Sequence, residues 1–138
     1  MEKVIVSSKI LDNYLSPQNC GVISNPTVLG SFGDYDLGIK IDLYLVISDR
    51  NIIEDIKFKT FGCITSIASA SMLTQIVMGK DINWALGVGV DDLSMALGQI
   101  PEEKLYCCEY AIKALRDGIS KICKINNEGE QVLNHAKF

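Results

Sequence analysis

Residues 52–70 read Ile-Ile-Glu-Asp-Ile-Lys-Phe-Lys-Thr-Phe-Gly-Cys-Ile-Thr-Ser-Ile-Ala-Ser-Ala, and their period changes partway along. Between Ile52 and Phe61, Ile56, Phe58 and Thr60 alternate with lysines, the pattern of a half-buried strand. After Gly62 the spacing lengthens. Ile64, Ile67, Ala68, Met72 and Val77 recur as on a helix reaching Met78, among small serines and alanines that permit close packing. The stretch therefore predicts strand, glycine, cysteine, helix, with Cys63 at the junction.

Upstream, Ile39, Ile41, Leu43, Leu45 and Ile47 alternate with Lys40, Asp42 and Tyr44, and Ser48-Asp49-Arg50-Asn51 supplies a turn, so the two runs form an antiparallel hairpin. Asn25-Pro26 and Gly30, Gly33 and Gly38 mark a loop-rich stretch before it. Ser7 to Leu15 reads as a short amphipathic helix stopped by Ser16-Pro17-Gln18-Asn19. Downstream, Gly79-Lys80-Asp81 closes the central helix, and short helices follow through Trp84 and Leu86 and over Val90 to Leu97, ended by Gly98. From Cys107 onward, Cys108, Ile112, Leu115, Ile119 and Ile122 form the stripe of a long amphipathic helix. The expected fold is α+β: a small antiparallel sheet of about three strands, helices on one face, and a long C-terminal helix. Residues 1–125 are expected to form one domain and 126–138 a flexible tail.

A chain of 138 residues can bury about two thirds of its unfolded surface around one core. Its 48% hydrophobic and 22% charged residues exclude a disordered, collagenous or coiled-coil chain. The net charge of −4 opposes nucleic acid and anionic lipid as partners. The longest apolar run, Leu43 to Ile47, is far short of the ~20 residues that span a bilayer, and Met1-Glu2-Lys3-Val4 shows no signal-peptide core. A cytoplasmic, reducing location is expected, in which the five cysteines are free thiols, metal ligands or redox groups.

Cys63 opens a helix after a glycine, where free backbone N–H groups and the positive dipole end stabilise a thiolate, although cysteine is as often simply buried. Cys107 and Cys108 open the last helix near Lys104. Successive helical side chains lie about 100° apart, so with Cys108 on the apolar stripe, Cys107 is expected at its edge, the more accessible and functional of the two. Cys20 and Cys123 read as structural or incidental, and Asp34 and Asp36 as reserve hard ligands in the glycine-rich loop. No C-x-x-C is present, the sole histidine, His135, lies in the tail, and Gly87-Val88-Gly89 lacks the strand and third glycine of a dinucleotide site. A vicinal Cys107–Cys108 disulfide is a more distant redox alternative.

Ser16-Pro17-Gln18-Asn19-Cys20-Gly21, Ile52-Ile53-Glu54-Asp55, Lys57 to Cys63, Ser66-Ile67-Ala68-Ser69 and Lys104-Leu105-Tyr106-Cys107 together resemble the iron–sulfur cluster assembly scaffolds of the IscU and NifU N-terminal type. The resemblance runs from about Ser8 to Ile119. It implies that fold, and a protein that accepts persulfide sulfur from a cysteine desulfurase, binds iron or a [2Fe-2S] cluster, and passes it to acceptor proteins. By this resemblance Cys63 and Cys107 match the family's second and third cysteines, and Cys107 is the implied persulfide acceptor. The ungapped match puts Leu37-Gly38-Ile39 where the family has C-G-D; a gapped match puts Phe32-Gly33-Asp34 there. Tyr106 stands at the family's histidine, and Ile100-Pro101-Glu102-Glu103-Lys104 at the run gripped by a specialised chaperone. Three readings follow. The first is a scaffold with an altered ligand set (Cys63, Cys107 and Cys108 with Asp34 or Asp36, or ligands shared across a homodimer), zinc being able to replace iron on isolation. The second is a persulfide relay without a stable cluster. The third is a degenerate paralogue that binds the desulfurase as a regulator.

Overall fold

In the computed structural model the described residues are 7–134, with side chains described through residue 122. Helix α1 spans Ser8–Leu15, strands β1, β2 and β3 span Val28–Asp34, Ile39–Ile47 and Ile53–Phe61, and helix α2 spans Ile64–Val77. Short helices α3 (Ile82–Leu86) and α4 (Val90–Ala96) and a 3-10 turn at Glu102–Lys104 lead into helix α5, Leu105–Asn134. The strands form an antiparallel meander in the order β1-β2-β3.

The sheet is two-faced because its residues alternate. Ile39, Ile41, Leu43, Leu45, Ile56 and Phe58 are buried beneath the helices, while Lys40, Asp42 and Lys59 look the other way, Lys40 pairing with Asp42 at 3.2 Å. The third strand lies where the glycines predict loop. β1 pairs with β2 from Val28↔Leu45 to Asp34↔Ile39, and its glycines have a packing purpose. A side chain at Gly30 would meet Ala114 O at 2.2 Å and Gly118 N at 2.7 Å, so the two glycines let α5 lie directly on β1. The outer edge of β3 is covered by the Asn19-Cys20-Gly21 segment, where Phe58 N–H donates to Asn19 O (2.9 Å) and Gly21 N–H to Phe58 O (2.8 Å).

α2 is the central helix, flanked by α1, β3 and α5. Its small Ser, Thr and Ala residues are buried all round, and the polar ones are satisfied. Ser71 Oγ donates to Asn13 Oδ1 (2.7 Å) and accepts from Gln18 N–H (2.9 Å), while Thr74 Oγ1 accepts from Asn19 Nδ2 (3.0 Å). These bonds fasten α1 and the loop after it onto the core. Ser7 caps α1, its Oγ accepting from Ile10 N–H at 3.0 Å and donating to Leu97 O.

α5 extends to Asn134, so residues 126–134 of the expected tail are helical although no apolar stripe marks them. Residues 135–138, with His135, and residues 1–6 lie outside the described residues, as does the side chain of Cys123. No helix among the described residues is long and apolar enough to cross a membrane.

Candidate functional site

The register of the sheet brings two segments to one end. Asp34 pairs with Ile39 and Lys40 with Phe61, so the β1–β2 turn and the β3–α2 junction lie at the same edge of the meander. At that junction Gly62 has φ +156°, and a Cβ there would sit 2.9 Å from Ser66 Oγ and 3.3 Å from Ile39 Cγ1. The glycine thus lets the first turn of α2 fold back against the strand end. Cys63 is the N-cap of α2.

Cys63 Sγ lies 3.7 Å from Cys107 Sγ at the start of α5. Ser66 Oγ stands between them, 3.6 Å from Cys63 Sγ and donating to Cys107 Sγ at 3.4 Å. Lys104 Nζ approaches Cys63 Sγ at 3.9 Å. Partial burial by itself would push the Cys63 thiol up. Hydrogen bonds from the Ser66 hydroxyl and N–H, from Cys107 and from the Thr65 N–H outweigh that, holding it at about 7 against an ordinary 9.0. The Cys63 thiolate in turn raises Lys104. Burial drives Cys107 the opposite way, up to about 11, opposed by the Ser66 hydroxyl and reinforced by Cys63.

The expectation that Cys107 is the accessible member of the vicinal pair is corrected: Cys107 and Cys108 are both 0% exposed. The reason is that α5 is covered on two sides, by the sheet and by α2, so residues 100° apart are both enclosed. Cys107 faces Ser66 and Cys63, whereas Cys108 points into the core with its Sγ 3.5 Å from Ser69 Oγ. The exposed thiol of the site is Cys63, which is half-buried.

The remaining candidates stand apart. Asp34 Oδ2 accepts from Tyr110 Oη at 2.9 Å, and Asp36 is exposed in the β1–β2 turn. Leu37, at the ungapped position of the family's first cysteine, is 51% exposed in that turn, and Ile39, at its aspartate, is buried in the core. Tyr106 packs edge-on against Tyr110 with ring centroids 5.6 Å apart. Cys20 is exposed beside β3. Among the described residues no group of three His, Cys, Asp or Glu stands together in a way that could hold a metal ion. Ser66 enters the sequence reading only within a matching motif and not as a site residue, although a serine three residues after a helix-capping cysteine faces it on the same side of the helix.

These features define a small α+β domain with two thiols apposed at one end of a three-stranded meander, one with its pKa lowered to about 7 and one enclosed. Residues 5–129 match the NifU-like N terminal domain, and the chain belongs to that family. It is 36% identical over 126 residues to the iron–sulfur cluster assembly scaffold proteins IscU of Archaeoglobus fulgidus, covering 91% of this chain and 82% of theirs. The scaffold protein IscU of Aquifex aeolicus is 36% identical over 114 residues, covering 82% of this chain and 73% of its own. A crystal structure from Fervidobacterium islandicum, described as a scaffold for the SUF system, superposes with a TM-score of 0.66 at 21% identity, over 81% of this chain and 94% of that one, and confirms the fold.

Proposed function

We propose that the chain is an iron–sulfur cluster assembly scaffold whose Cys63–Cys107 pair takes up sulfur from a cysteine desulfurase and holds iron or a [2Fe-2S] unit for transfer to acceptor proteins. The observation that carries the reading is the 3.7 Å approach of the two sulfurs from separate elements, in a chain of this family. Its relatives by sequence are named scaffold proteins, which supports holding and transfer rather than catalytic turnover. Two thiolates are half the protein ligands a [2Fe-2S] cluster ordinarily takes. The remaining coordination is therefore supplied from outside this set, by a second copy, a partner or a small thiol.

Anaerobic reconstitution with ferrous iron, cysteine and a desulfurase tests this on wild type, Cys63→Ser and Cys107→Ser. The account predicts thiolate-to-iron charge-transfer absorption in the wild type and its loss in either variant. The absence of a third convergent donor favours one second reading, a sulfur relay. It predicts protein-bound sulfur with no such absorption in the wild type.

A further inference from the structure

Cys107 is enclosed completely, while Cys63 keeps part of its surface open, and their sulfurs stand 3.7 Å apart, close to van der Waals contact. A persulfide brought by a small molecule or on a partner's loop therefore meets Cys63 first. Any sulfur left there has a second thiol directly behind it. We propose that sulfur enters at Cys63 and that Cys107 then reduces it, releasing hydrosulfide within the site and leaving a Cys63–Cys107 disulfide. The proposal rests on the reading of the chain as a sulfur acceptor, and it moves the entry point from Cys107, the acceptor implied by the family resemblance, to Cys63.

The chemistry closes without an outside reductant for the first sulfur. The Cys63 thiolate attacks the outer sulfur of a donor R–S–S–H; the donor S–S bond breaks, R–S⁻ leaves and takes up a proton, and Cys63 becomes Cys63–S–S–H. Cys107 then attacks the inner sulfur, Cys63 Sγ. The Sγ–Sγ bond forms, the bond to the outer sulfur breaks, and that sulfur departs as HS⁻ with the electron pair. The outer sulfur gains two electrons, each cysteine sulfur gives one, and the protons lost by the thiols end on R–SH and H₂S. A dithiol reductant from outside returns the pair to the reduced state after each sulfur.

Three observations favour this order. In-line displacement places the leaving sulfur opposite Cys107, and of the two thiols Cys63 is the one with open surface. Lys104 Nζ, 3.9 Å from Cys63 Sγ, puts a cation beside the departing anion. Closure from 3.7 Å to a disulfide of about 2.05 Å joins residues on two adjoining helix starts. Cys108 cannot substitute, because its sulfur faces Ser69 in the core.

The test is a single turnover on reduced, metal-free protein with one equivalent of an alkyl persulfide, whose own leaving group is a thiol and not hydrosulfide, made anaerobically and followed by hydrosulfide release, intact mass and peptide mapping. The expected wild-type result is one hydrosulfide per chain, a loss of two hydrogens and a linked Cys63–Cys107 peptide. Cys107→Ser should keep one extra sulfur on Cys63 and release none; Cys63→Ser should do neither; Cys20→Ser, away from the site, should behave as wild type. Extra sulfur retained on wild-type Cys107 without a disulfide, or hydrosulfide release by Cys63→Ser at the wild-type rate, overturns the proposal. The wild-type mass and linked peptide decide the matter even where a variant fails to fold. A parallel arm with desulfurase and cysteine separates the two readings. Hydrosulfide and disulfide with the alkyl persulfide but not with the desulfurase would uphold the inference and overturn the desulfurase as sulfur source. Stable sulfur loading from the desulfurase without disulfide would do the reverse.

Discussion

The Ser66 hydroxyl touches both sulfurs of the site and acts on them in the same direction, stabilising each thiolate. Cys63, with backbone N–H groups of α2 added, comes to about 7; Cys107, enclosed, stays at about 11. Of the two thiols of the site, iodoacetamide should therefore alkylate Cys63 in the native protein, with a rate that rises through a midpoint near pH 7 and levels off, while Cys107 is spared until the protein unfolds. Ser66→Ala should move that midpoint upward toward the ordinary 9.0. A midpoint unchanged by the substitution would show that the backbone donors and Cys107 hold the thiolate without the serine. The helix-start argument for Cys63 was legible from Gly62-Cys63 and the change of period after it. The enclosure of Cys107 was not, because helical geometry fixes only the angle between neighbours, not how many sides of the helix are covered.

Among the elements, β1 and α5 depend on each other through glycine. Gly30 lies under Ala114 and Gly118 with no room for a methyl group, and a side chain at Gly118 would reach Leu45 Cδ1 at 2.6 Å. Gly30→Ala should destabilise the protein by about 1–3 kcal/mol, the usual cost of overpacking, seen as a lower urea midpoint at unchanged slope. Ser7→Ala removes the α1 cap and should cost about 1 kcal/mol in the same measurement. β1 was hidden for the reason that makes it work. Its glycines lower strand propensity and remove the alternating side chains, and only the close approach of α5 explains them. β2, β3 and α2 were legible because each buries one consistent set of positions. The last turns of α5 carry no such stripe and yet are helical through Asn134.

For the whole molecule, the two thiols give stability opposite dependences on pH. Cys63 is depressed in the folded state, so its contribution is full above the ordinary 9.0 and is lost as pH falls through about 7. Cys107 is raised, so its contribution is full below 9.0 and is lost as pH rises toward about 11. In the difference between wild type and variant, Cys63→Ser should abolish the gain between about pH 7 and 9 and Cys107→Ser the loss between about 9 and 11, as read by urea unfolding at each pH. The α+β class and the helices on one sheet face were legible from periodicity, and the family from short motifs. What remained illegible was three-dimensional: which donors converge. Leu37 and Tyr106 could be matched to ligand positions in the sequence, but only the packed structure shows that two thiols meet and no third His, Cys, Asp or Glu joins them among the described residues. The most direct test of the account is to incubate the reduced protein with a cysteine desulfurase and cysteine without iron, then locate by peptide mass spectrometry where sulfur has been added or a thiol pair joined. The account predicts that the change is confined to Cys63 and Cys107 and disappears when both are serine. Sulfur carried instead on Cys20 or Cys123, or none on the protein while the desulfurase turns over, would contradict it.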